Sequence, residues 1–133
     1  MHLGALQIEL IVRASESLKD KRRVIKSVKD RLHREQMISV AEVATQDHLQ
    51  VATLGIAVAS EGAQRCAAVL DSVVSKLEER ASRPGAGELT YEIGSQSRRV
   101  MALEEIPVTD PEAGRAAVDA EMLRYAETEG FSS

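Results

Sequence analysis

A chain of 133 residues, 44% hydrophobic and 29% charged with a net charge of -4, fits one globular domain with an appendage and excludes a chain too polar to fold. No apolar run nears the ~18 residues that a membrane span needs, and MHLGALQIELIVR carries its basic residue after the apolar stretch, the reverse of a signal peptide. The protein is therefore expected in the cytoplasm, without a membrane partner, and its lone cysteine excludes an intrachain disulfide.

Residues 2–13 alternate. Leu6, Ile8, Leu10 and Val12 share one face, and Ala5, Gln7, Glu9, Ile11 and Arg13 the other, as in a half-buried strand. Ser17 suits a helix N-cap. From Leu18 the period changes. Leu18, Ile25, Val28 and Leu32 fall in one helical sector, with Val24 at its edge. ISVAEVAT, residues 38–45, has strand composition, and Gln46, Asp47 and His48 make a turn. LQVATLGIAVA, residues 49–59, completes a hairpin with Ala52, Leu54, Ile56 and Val58 inward. Ser60, Glu61 and Gly62 then interrupt. Cys66, Leu70, Val73 and Leu77 define a second helix, in which Cys66 reads as a small buried apolar residue. Basic residues at Arg80 and Arg83 suit the helix C-terminus, and Pro84, Gly85 and Gly87 stop it. LTYEIG, residues 89–94, predicts a fourth strand with Leu89, Tyr91 and Ile93 inward.

The order β-α-β-β-α-β over residues 1–96 predicts an α+β, ferredoxin-like sandwich. Its four-stranded antiparallel sheet has two helices on one face, and right-handed crossovers centre the first and third strands. Residues 97–133 form a C-terminal extension. SQSRRVMALEEIPVTD has no clear period, whereas Asp110 and Pro111 open a helical stretch over about 111–127 with Val118, Met122 and Tyr125 on one stripe.

HLGALQIEL, SLKDKRRVIKSVKDRL, SVAEV, QD and LGIAVAS occur in this order. Together they resemble the YlxP-like family of small bacterial proteins, with SLKDKR (17–22) the most specific segment. The resemblance spans residues 1–96. It implies a ferredoxin-like fold, supplies no catalytic residues and leaves the function open. Genes of that family often sit beside those of translation initiation and ribosome-maturation factors, which implies an RNA-related role.

Charge is distributed unevenly. Residues 19–34 hold eight of the 17 Lys and Arg residues against two Asp, a net +6 in an acidic chain. On a helical wheel Lys19, Arg22, Arg23, Lys26, Lys29 and Arg34 fall within an arc of about 140° beside the apolar stripe. Lys19–Arg23 and Arg22–Lys26 repel at i,i+4, Asp30–Arg34 attract, and Lys19 and Lys21 face the positive end of the helix dipole. A polyanion would relieve these penalties, and Arg forks suit phosphate. These six residues are the candidate nucleic-acid-binding set, for structured RNA or a ribosomal particle. The outward sheet positions offer no aromatic platform, so backbone and shape would be read rather than bases. A protein–protein adaptor or self-associating scaffold is the alternative.

The outer face of the third strand is small and largely apolar. Val51, Thr53, Gly55 and Ala57 there form a candidate association surface, and a homodimer is expected. Glu42, Asp47, His48 and His2 match no metal-ligand or catalytic spacing, and no phosphate-binding loop is present. The reading is of a protein without enzymatic activity, metal or cofactor.

Overall fold

The alternation near the N-terminus becomes a strand because every second side chain meets the same apolar layer. In the computed structural model, which describes residues 1–103, β1 spans His2–Ile11 and β3 spans Val51–Ser60. Leu6, Ile8 and Leu10 are buried from one, with Val12 just beyond its end, and Ala52, Leu54, Ile56 and Val58 from the other. Helices α1 (Leu18–Glu35) and α2 (Ala63–Ser82) pack onto this face. Each buried Val, Leu or Ile contributes about 1.5–3 kcal/mol, so tertiary burial rather than helix propensity holds both helices.

β2 (Ser39–Glu42) and β4 (Glu92–Ala102) complete an antiparallel sheet in the order β2-β3-β1-β4. Leu6 opposes Ile56, and Leu10 opposes both Ala52 and Ile93. The fold is α+β and ferredoxin-like, with the first and third strands central. Gly4 lets α2 approach β1 closely: a Cβ there would lie 3.0 Å from Val58 and 3.2 Å from both Cys66 and Leu70. Cys66 is fully buried beneath it, as expected.

The core line of α1 differs from the expected one. Lys21, Val24, Val28 and Leu32 are buried, while Leu18 and Ile25 are only half-buried. These positions recur at steps of three and four, as a core stripe requires. A lysine hid the phase of that stripe, because its apolar stem is buried and its charged end is satisfied locally.

β2 is also shorter than residues 38–45. It stops at Glu42, where the chain turns through Ala44 at φ 66°. Thr45 then replaces a ladder acceptor with its hydroxyl, which takes the Thr53 N–H at 2.8 Å.

β4 lies later and runs longer than residues 89–94, carrying the sheet to Ala102, past residue 96. Leu89, Tyr91 and Ile93 do pack inward. No period was legible beyond them because the ladder is irregular between Ile8 and Leu10, and because Arg98 occupies a helix-side position, pairing with Asp71 of α2 at 2.6 Å. The helical stretch expected over about 111–127 lies outside the described residues.

Candidate nucleic-acid interface

SLKDKR, the most specific segment of the resemblance, resolves into distinct duties. Ser17 Oγ accepts the Asp20 N–H at 3.1 Å, and Asp20 Oδ2 accepts the Glu16 N–H at 3.1 Å. The first bond occupies a donor left free at a helix start, and the second ties the residue before the cap to the first turn. Lys19 and Arg22 project outward and are exposed. Lys21 turns inward and has no exposed surface. Its Nζ meets Glu42 Oε2 at 2.7 Å and donates to the carbonyls of Thr45 at 2.6 Å, Val51 at 3.3 Å and Gln46 at 3.4 Å. Lys21 therefore clamps the β2–β3 connection to the first turn of α1. Its charge against the helix dipole is compensated from within, so it calls for no external anion.

The six candidate cations lie on the side of α1 away from that clamp. Lys19, Arg22, Arg23, Lys26 and Arg34 are exposed, and Lys29 is half-buried. Arg23, Lys26 and Arg34 border one open depression with Ser27, Asp30 and His33, whereas Lys19, Arg22 and Lys29 lie outside it. Asp30 pairs with Lys26 at 3.0 Å rather than with Arg34. Such an exposed i,i+4 pair is weak and screened by salt. The other five cations meet no carboxylate within ion-pair distance among the described residues.

Elsewhere pairing is frequent. Arg13 grips Glu92 through two bonds of 2.9 and 3.1 Å, holding that carboxyl below its usual range and raising the guanidinium. Lys76 pairs with Glu35, whose carboxyl is likewise lowered by that hydrogen bond. Arg80 pairs with Glu88 at 2.5 Å, and Arg98 with Asp71. Among the described residues, the acids thus neutralise cations mostly away from the ridge and leave most of the ridge without an ion-pair partner.

Val51, Thr53 and Gly55 are half-buried and Ala57 is exposed, all on the sheet face opposite the helices. Val43 leans over Gly55, where a Cβ would stand 3.1 Å from its Cγ1. Ala5 and Gln7 continue the exposed face on β1. Glu9 there is bound to β4: its Oε1 accepts Ser95 Oγ at 2.6 Å and Ser95 N–H at 3.1 Å, which lowers its carboxyl pKa.

The hairpin acids and histidines do not converge. Glu42 is taken by Lys21, and His48 Nδ1 accepts the Gln50 N–H at 3.2 Å. His2 lies opposite Ser60 at the far end of β3, with its Nδ1 3.0 Å from the Glu61 carbonyl. It does not approach the hairpin across the sheet. Among the described residues no three His, Cys, Asp or Glu side chains are grouped to hold a metal, and no helix is long and apolar enough to cross a membrane.

Residues 3–83 match the family described as Protein of unknown function (DUF503). The chain belongs to that family. The matched span runs from β1 through α2 and includes both the Lys21 clamp and the cationic ridge, so both lie within the DUF503 region. Among solved structures, a dimeric ferredoxin-like protein from an uncultured marine organism is 10% identical, with 77% of this chain and 96% of that chain covered at a TM-score of 0.41. No curated protein matches the DUF503 chain.

Lys21, Arg80 and Glu88 are partnered residues outside the candidate set. For Lys21 a signal existed, since it stands three residues before Val24 and seven before Val28, in phase with the core stripe. For Arg80 the same phase holds, three residues after Leu77. Glu88 sits in an irregular loop and carried no such signal.

Proposed function

We propose that this protein is a non-enzymatic binding protein that holds the phosphate backbone of structured RNA, free or within a ribosomal particle, against the outer side of α1. The observation that carries this reading is the open charge on the ridge: Lys19, Arg22, Arg23, Lys29 and Arg34 have no carboxylate partner among the described residues. Arg forks match phosphate oxygens in pairs, and neutralising several phosphates releases counterions. The outward positions of β1 and β3 hold no aromatic side chain, so bases have nothing to stack on, and recognition rests on backbone and shape. The YlxP-like resemblance, with its gene neighbourhood of translation factors, supports the same direction. The test is an anisotropy titration of a labelled, structured RNA at several salt concentrations. RNA binding gives a log–log salt slope of about -0.7 to -0.9 per phosphate contacted. Affinity without salt dependence, or a protein partner in its place, moves the reading to an adaptor.

A second reading, compatible with the first, is favoured by the open sheet face. Three strands of about 33 Å and the shorter β2, at about 4.8 Å spacing, present roughly 540 Å2, below the ~800 Å2 per partner of a standard interface. A second copy packed through Val51, Thr53, Gly55 and Ala57 would cover it, giving a homodimer. Light scattering that returns a monomer at micromolar concentration removes this reading.

A further inference from the structure

Beside the ridge, between α1 and the loop that follows α2, lies a cavity of about 250 Å3. Its walls include Asp20, Arg23, Arg80 and Glu88. Arg80 is unusual in this protein, with only 5% of its side chain exposed. One nitrogen donates to Glu88 at 2.5 Å, and no other acceptor engages its guanidinium among the described residues. A buried polar atom without a partner is costly, and no fully enclosed side-chain nitrogen or oxygen here is left unpaired. The remaining Arg80 donors are therefore not fully enclosed, and Arg80 lines this cavity.

Most of the acid oxygens of this cavity are engaged. Glu88 Oε1 accepts from Ser27 Oγ at 3.0 Å, and Oε2 accepts from Arg80 and from the Gly85 N–H at 3.1 Å. Asp20 Oδ2 accepts the Glu16 N–H. Arg23 makes no ion pair among the described residues. The formal charges cancel, two guanidinium groups against two carboxylates, but the hydrogen-bonding capacity does not. Apart from Asp20 Oδ1, what is free is donors, in planar forks that suit a tetrahedral oxyanion.

We propose that this cavity is a phosphate-binding pocket, in which Arg23 and the free edge of Arg80 grip a single phosphate group. The pocket adjoins the open ridge, shares Arg23 with it and does not require RNA. It fits either the diester of a nucleic-acid backbone or a free phosphate, because both present the same oxygens.

The test is amide NMR of the full chain, titrated separately with inorganic phosphate and with dimethyl phosphate, against chloride at equal ionic strength. The expected result is saturable shifts at Ser27, Glu88 and Leu89 with at least one probe. Saturation by dimethyl phosphate assigns the pocket to a backbone diester, and saturation by orthophosphate alone assigns it to free phosphate. Arg23→Gln, an exposed change that leaves the Arg80–Glu88 pair in place, weakens binding about tenfold. Shifts spread evenly along α1, or absent with both probes, overturn the pocket. Loss of RNA binding alone leaves it standing, and RNA binding with no pocket shifts overturns it while sparing the ridge.

Discussion

The Lys21 ammonium stands 2.7 Å from Glu42 Oε2, joining the first turn of α1 to the end of β2 beneath a surface that leaves the lysine wholly covered. Removing the lysine strands Glu42 and three carbonyls. Lys21→Met should cost about 3–5 kcal/mol in urea unfolding, as for other broken buried pairs. Lys19→Met, two residues away and exposed, should change stability by less than about 0.5 kcal/mol. Equal effects from the two variants would refute the clamp.

Tyr91 donates its phenol to the Leu77 carbonyl at 2.7 Å, and burial pushes that phenol up to about 12 from an ordinary 10.0. The unfolded chain ionises first, so this contribution is complete below pH 10 and is lost as pH rises toward 12. Tyr91→Phe should lower stability by about 1 kcal/mol near neutrality. It should also remove part of the alkaline decline. Parallel alkaline limbs for the two proteins would contradict this assignment.

Glu88 behaves in the opposite sense. The Ser27 hydroxyl, then Arg80 and the Gly85 amide, hold its carboxyl below the usual 4.5. The linked stability is present above that value and is lost as pH falls through the lower folded one. Glu88→Gln should therefore flatten the acid limb of a pH–melting profile. It should also loosen the loop after α2, seen as faster amide exchange at Gly85 and Glu88.

On the ridge, the pairings rank the cations. Lys26 already holds Asp30, whereas Arg22 holds nothing among the described residues. Arg22→Gln should weaken RNA binding more than Lys26→Gln and reduce the salt slope by about 0.7–0.9. Equal losses in an anisotropy titration would mean that the Lys26–Asp30 pair is irrelevant to binding.

The sheet face yields a separate expectation. Ala57 is exposed in the middle of it. Ala57→Arg should convert a dimer to a monomer in light scattering without lowering the melting temperature of the monomer. A dimer that survives the substitution is built through some other surface.

Element order, the central strands and the α2 stripe were legible because apolar periods of two and of three to four coincide with burial at Leu6, Ile8, Leu54 and Leu70. Legibility failed where a polar residue takes a core position. Lys21 displaced the apparent stripe of α1, and Arg98 masked the helix side of β4. The end of β2 was obscured for a related reason. Thr45 supplies a side-chain oxygen where a carbonyl would extend the ladder, an exchange that composition does not reveal. The ridge was visible from charge and the helical wheel, which already leaves Lys21 off its arc, but the burial of Lys21 against Glu42 is legible only in the fold. The Arg80–Glu88 pair depends on a loop without period and was beyond reach.

The covered position of Lys21 has a chemical consequence. An amine acylating reagent applied to the native protein will modify Lys19 and Lys26 readily and spare Lys21, although the three are near neighbours in sequence. Label appearing on Lys21 by mass spectrometry then times the opening of the domain, turning one residue into an internal clock for unfolding.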